Sequence, residues 1–299
     1  MKKLPNFLCV GAQKAGTTTL HDILKSHSDI FLPKNKECKF FAHSEEFDKG
    51  LSYYQKEFFS DYNGEKVIGE IDPEYMYFDF VPERIYKTLG SNIKIIFILR
   101  NPASRAFSHY QMSLRRGDEN LSFEKAVEVE SERMNANTDE FNKIKNMYNF
   151  SYIERGYYAQ QIKRYLKFFP IENMHFILFE DEFLKDREKT IQGVFEFLGV
   201  ESQAGIKLDV KSNPASEPRS RFLRDLFTKE YIIKDLVKSV MPRSWRLAVR
   251  MYAEKINAKP PTSILSKELK DNILKHYYYD EIKELESIIH KNLSNWLIK

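Results

Sequence analysis

Between Phe7 and Leu20 an apolar run gives way to a loop framed by Gly11 and Gly16, and then to a helix-forming stretch. Two glycines spaced G-x-x-x-x-G let consecutive backbone N–H groups turn toward one point, and a helix opening at the second glycine adds the positive end of its dipole. Such a cradle takes an anion. The hydroxyls of Thr17, Thr18 and Thr19 stand beside it on the first helical turn. A loop built for ATP or GTP carries lysine directly after the second glycine, followed by a hydroxyl for Mg²⁺; here Thr17 holds the lysine's place. The lysine is instead Lys14, inside the frame and separated from Gly16 by Ala15. Its ammonium reaches the bridging oxygen of a phosphoanhydride from there, which suits a leaving group that is a nucleotide phosphate.

A second cluster lies where Ile93-Lys94-Ile95-Ile96-Phe97-Ile98-Leu99 ends in Arg100-Asn101-Pro102. The β-branched run reads as a strand buried on both faces, as in a parallel sheet. Pro102 suits the first turn of a following helix. A metal-dependent nucleotide site would end such a strand in aspartate. This one ends in Arg100, whose planar fork matches a phosphate, at the sheet edge where open α/β folds bind ligands. Ser108 follows about two helical turns later and supplies a hydroxyl to the same group if the chain folds back. Plainer roles stay open: Arg100 as an ion pair capping the sheet edge, Ser108 as a helix serine bonded to its preceding turn. Arg105 reads as a pin between helix and sheet.

These residues need a frame, and alternating strand and helix signals over the first two hundred positions supply it. Strands are expected at 6–11, 66–71, 93–99 and 173–179, with a short one at 30–32. Helices are expected at 16–27, 80–89, 102–116, 155–169 and 187–198, the last stopped by Gly199. The polar stretch from Asp118 to Asn149 reads as a helix from about Ser122 followed by a mobile lid. After the break at Ser212-Asn213-Pro214 the pattern turns helical and basic as far as Ile256, and helices at 266–278 and 280–290 close the chain. Tyr277-Tyr278-Tyr279 there reads as core or interface packing.

With these motifs in chain order, the sequence resembles a sulfotransferase using 3′-phosphoadenosine 5′-phosphosulfate (PAPS), most like bacterial relatives of the heparan sulfate sulfotransferases. The resemblance implies a P-loop-like three-layer α/β fold, a central parallel sheet flanked by helices, with a helical C-terminal part. It implies that Lys14, Ala15, Gly16, Thr17, Thr18 and Thr19 hold the 5′-phosphosulfate, that Arg100 and Ser108 hold the 3′-phosphate, and that no metal is required. The family carries a glutamate just before a Phe-Phe pair, and Lys36-Glu37-Cys38-Lys39-Phe40-Phe41 fits it. By that likeness Glu37 is the general base and Lys14 the cation on the leaving phosphate; a solvated loop residue is the alternative for Glu37. Gly69-Glu70-Ile71-Asp72-Pro73-Glu74-Tyr75, Arg155-Gly156-Tyr157-Tyr158-Ala159 and Phe195-Glu196-Phe197-Leu198-Gly199 are softer matches in the expected order. Ile71 departs from the heparan enzymes, which carry lysine there, and Lys259 to Ser263 only faintly echo their basic loop. Arg219 and Arg221 are further candidates for a phosphate or an acidic acceptor. The likeness covers residues 5–116 and 150–200.

The bulk numbers fit one soluble domain over 1–299, with a core at 5–200, a basic insertion at 207–257 and C-terminal helices at 262–299. Hydrophobic residues make up 42% and charged residues 30%, an ordinary soluble composition that gives no support for long disorder. The two cysteines, Cys9 and Cys38, and the seven histidines form no metal-ligand spacing. No disulfide scaffold is implied, and the N-terminal apolar stretch is too short for a signal peptide or a span, so a bacterial-type cytoplasm is expected. Residues 207–250 hold eleven Lys/Arg against five Asp/Glu within a chain of net charge +4. That segment is a solvated basic face or a contact for an anionic glycan or a membrane surface; nothing accompanies it that would read nucleic acid. The expected partners are PAPS, its product PAP, and a carbohydrate or glycolipid acceptor. A small-molecule P-loop kinase and a non-catalytic binder of acidic polysaccharide are the alternatives.

Overall fold

Phe7–Gly11 forms β1 with every residue buried, as an uninterrupted apolar run must be when helices cover both faces of its sheet. The computed structural model describes residues 4–136, 139–210, 217–218, 220, 256, 258–259 and 264–297. These fall into two compact units, one of residues 1–105, 155–213 and 273–299, the other of 106–154 and 214–272.

In the first unit β1 runs through the glycine loop into α1 (Thr17–Leu24), and then come β2 (Ile30–Phe31), α2 (Ser44–Phe47), α3 (Gly50–Phe58), β3 (Val67–Ile71), α4 (Val81–Leu89) and β4 (Lys94–Leu99). α5 (Pro102–Arg116) begins here. α6 (Phe123–Glu128), α7 (Glu130–Met134) and α8 (Glu140–Phe150) belong to the second unit. The chain re-enters the first unit with α9 (Tyr158–Leu166), β5 (Met174–Leu178) and α10 (Arg187–Leu198). Five strands form one parallel sheet in the order β2-β3-β1-β4-β5. That order sets the carboxyl ends of β1, β3, β4 and β5 side by side, and the candidate site lies on that edge.

The helices obey local rules. Asp186 caps α10 by accepting the Lys189 N–H at 3.1 Å, and Gly199 ends it in left-handed backbone at φ 80. α11 (Lys267–Ile273), a wider turn at Leu274–Tyr278 and α12 (Tyr279–Ile289) close the chain. α12 packs on α9, where the Glu281 carboxylate accepts the Ala159 N–H at 2.5 Å. Of the three tyrosines at 277–279, Tyr278 is fully buried against Gly156, while Tyr277 and Tyr279 are exposed. Core packing therefore accounts for only the middle one.

In the second unit Ser122 caps α6 as expected, but the stretch beyond it is largely helical. Asp139 caps α8 by accepting the Asn142 N–H at 2.8 Å, and Glu130 on α7 accepts the N–H groups of Ile153 and Glu154 at 2.7 and 2.9 Å. Arg133 pairs with the buried Glu119, which also accepts the Tyr152 hydroxyl. A two-residue ladder joins β6 (Glu217–Pro218) to β7 (Ala258–Lys259). The basic helical reading over 219 and 221–255 lies outside the described residues, Arg219 and Arg221 included.

Candidate active site

The loop after β1 is held by the Ala12 N–H on the Ile98 carbonyl at 2.7 Å and the Ala15 N–H on the Ala12 carbonyl at 3.2 Å. Gly16 has φ 96, and a Cβ there would stand 2.6 Å from the Phe179 ring. Only glycine fits both conditions. No side chain caps the start of α1, so the backbone donors of its first turn, with Thr17 and Thr19 buried and Thr18 half-buried, point out of the helix. Lys14 is half-buried in left-handed backbone at φ 71.

Arg100 meets this loop directly. Its Nη1 donates to the Lys14 carbonyl at 3.0 Å, its Nε stands 3.5 Å from Glu180 Oε1, and its guanidinium lies 5.2 Å from the centre of the Phe179 ring. Its Nε is buried and faces the Glu180 carboxylate. Burial is also the main influence lowering its pKa, opposed by Glu180. The Tyr158 hydroxyl donates to the Arg100 carbonyl at 2.9 Å, and the Asn101 N–H to Glu180 at 3.1 Å. The sheet-edge ion pair and the approach to the loop thus coexist. Ser108 lies half-buried on α5 within the second unit.

Glu37 occupies a tight turn on the same edge. Glu37 and Lys39 have φ 66 and 60; with Lys14 they are three of the four non-glycine left-handed residues among those described, His290 being the fourth. Backbone strain of this kind collects where geometry is dictated by function. The Lys36 ammonium pairs with the Glu37 carboxylate, which is 37% exposed and so open to an incoming group. Phe40 and Phe41 are buried and anchor the segment, Phe40 stacking on Tyr54 with centroids 4.1 Å apart. They hold the turn from below.

Beneath it sits a buried acidic cluster that sequence reasoning passed over. Asp72, fully buried at the end of β3, accepts the Lys39 N–H at 2.8 Å and the Glu74 N–H at 3.1 Å, while its own N–H donates to the Cys9 carbonyl at 3.0 Å. Glu70 accepts the hydroxyls of Tyr54 and Tyr75. Burial raises the Glu70 pKa to about 7. Burial first, and then Glu74, Glu70 and Glu37, push Asp72 well above the usual carboxyl range. The signal was Asp72 closing a strand beside β1. Phe179 and Glu180, directly after β5, were missed for the same reason: sheet order alone brings them to the loop.

A largely buried guanidinium at the strand end and a cradle that a Cβ would fill fit an anionic group. Among the described residues no three His, Cys, Asp or Glu side chains lie where they could hold a metal ion, and no helix is long and apolar enough to cross a membrane.

A family model described as the sulfotransferase domain matches residues 4–218. Heparan sulfate glucosamine 3-O-sulfotransferase 5 of Mus musculus is 31% identical over 204 residues, covering 67% of this chain and 55% of that protein. The bifunctional heparan sulfate N-deacetylase/N-sulfotransferase 2 of Homo sapiens is 30% identical over 207 residues, 66% of this chain and 22% of that one. The chain therefore spans about half the length of the first relative and about a fifth of the second. A crystal structure of a sulfotransferase from Alicyclobacillus acidocaldarius superposes with a TM-score of 0.65 at 26% identity, over 98% of each chain.

Proposed function

The chain belongs to the sulfotransferase family, and on that premise we propose that it moves a sulfuryl group from PAPS to a hydroxyl or amine of a carbohydrate or glycolipid. The observation that supports this reading is the bond from Arg100 Nη1 to the Lys14 carbonyl, which sets the strand-end arginine beside the glycine cradle. When bound, PAPS supplies the sulfuryl group and leaves as PAP. Lys14 neutralises the departing phosphate, and the first-turn N–H groups and hydroxyls of Gly16, Thr17, Thr18 and Thr19 hold the 5′ end. Arg100 holds the 3′-phosphate through its fork. Glu37 accepts the acceptor's proton, and its pairing with Lys36 fixes the carboxylate before the acceptor arrives.

A sulfuryl group carries less negative charge than a phosphoryl group, so lysine and backbone donors suffice where a phosphotransferase recruits a metal. Ile71 in place of the lysine of the heparan enzymes points to an acceptor with less negative charge on that side. The segment 207–250, outside most of the described residues, is our candidate for contact with an anionic glycan or membrane surface. Two buried free thiols, Cys9 and Cys38, suit a reducing cytoplasm. Incubation with ³⁵S-labelled PAPS and a panel of glycans and glycolipids tests the activity: label should enter at least one acceptor pool, and protein that neither binds PAP nor labels any pool would refute it.

A further inference from the structure

Asp72 is an expensive residue to bury, since desolvation opposes its charge and three more carboxylates, Glu74, Glu70 and Glu37, act on it. Its contacts explain its presence. Its two oxygens accept the N–H groups of Lys39 and Glu74, and its own N–H holds the Cys9 carbonyl. One residue therefore joins the end of β1, the end of β3 and the segment that carries Glu37.

The bond to Lys39 falls at a telling point. Glu37 and Lys39 both hold left-handed backbone, which side-chained residues resist because Cβ crowds the carbonyl. A turn of this kind relaxes unless something over-determines it. The Lys39 N–H is the backbone donor at the second strained residue, and Asp72 Oδ2 is its acceptor at 2.8 Å. Aromatic anchoring by Phe40 and Phe41 fixes the chain after the turn, and Lys36 grips Glu37 before it. Glu70 bonds Cys38 in the middle of the turn, and Asp72 ties its second strained residue to the ends of β3 and β1.

We propose that Asp72 is a positioning residue, holding the Glu37–Lys39 turn in its left-handed form so that the Glu37 carboxylate is aimed at the acceptor. This rests on the assignment of Glu37 as the base made above. Asp72→Asn keeps the shape and removes one of two acceptor oxygens; Asp72→Ala removes both.

Three readouts on the full-length protein test it. Residue-resolved hydrogen exchange should show the Lys39 amide protected in the wild type and exposed in Asp72→Ala, with Asp72→Asn carrying the same expectation if the alanine variant does not fold. Both variants should lose about 10²-fold in kcat, the scale of a misplaced catalytic group, with the KM for PAPS and the affinity for PAP unchanged. Adding Lys39→Gly to Asp72→Ala should restore kcat by about fivefold, because glycine adopts positive φ without the steric penalty. The proposal is overturned by a wild-type Lys39 amide that exchanges like an exposed loop, by variants that keep full kcat, or by variants whose PAP affinity falls along with kcat. A wild type that turns over no PAPS would defeat the sulfotransferase reading instead, and the exchange measurement would still decide whether Asp72 holds the turn.

Discussion

Lys14 and Glu37 have the same backbone peculiarity, a left-handed φ in a residue with a long side chain, and both stand on the edge where the strands end. We predict that Glu37→Gln retains PAP binding but loses about 10²- to 10⁴-fold in turnover, the usual contribution of a positioned base; a kcat within twofold of wild type would remove Glu37 from the mechanism. Lys14→Ala should lower kcat by about 10²- to 10³-fold, as loss of a charge-stabilising donor does, checked in the same steady-state assay. At this scale the sequence was readable where chemistry is local. The glycine frame around Lys14 and the strand ending in Arg100 are patterns within a few residues. Asp72, Phe179 and Glu180 were not readable, because each reaches the site through strand order, and the partner of Asp72 is an N–H thirty-three residues away.

Among the elements, the turn from β1 into α1 is the least tolerant. Gly16→Ala must accept both positive φ and a contact at 2.6 Å with the Phe179 ring. We expect it to destabilise the protein by about 2 kcal/mol or more, read from urea unfolding, and to weaken PAP binding; an unperturbed midpoint would contradict the packing described. Farther off, Glu281→Ala should cost about 1–3 kcal/mol by removing the carboxylate that accepts the Ala159 N–H. Its PAP affinity should stay that of the wild type. The five strands and most helices were legible because their apolar periods are strong, whereas α3 was not: Tyr54 is its one buried residue, too faint a stripe to announce a helix. The helix from Ser122 was legible, whereas α7 and α8 beyond it were not: α7 is held by Arg133 on Glu119, and α8 by the Ser113 hydroxyl on the Asn149 carbonyl and the Asn146 amide on the Arg133 carbonyl, bonds that composition does not display.

For the molecule as a whole, the buried acids set a pH dependence. The carboxyl of Glu70 titrates at about 7 in the fold against an ordinary 4.5, so between those values the folded protein holds a proton that the unfolded chain has lost. Stability from this group is therefore full below pH 4.5, falls as pH rises to 7, and is flat above, a span on the order of 3 kcal/mol. His175, pushed down to about 4 mainly by burial, acts in the opposite sense, its contribution being lost as pH falls below its ordinary 6.5. Subtracting the unfolding free energy of Glu70→Gln from that of the wild type at each pH cancels His175 and should leave a curve that declines from pH 4.5 to 7. A flat difference would place Glu70 in a more hydrated setting.

The claim on which the account turns is that Arg100 and the glycine loop grip two ends of one adenosine bisphosphate. Calorimetric titration of wild type and Arg100→Ala with PAP and with adenosine 5′-monophosphate tests it in four measurements. Wild type should prefer PAP by about 10- to 100-fold, the worth of charge-assisted bonds to the 3′-phosphate, and Arg100→Ala should erase most of that preference while leaving the monophosphate affinity near its original value. A preference for PAP that survives the loss of Arg100, or tighter binding of Mg·ATP than of PAP by the wild type, would contradict it.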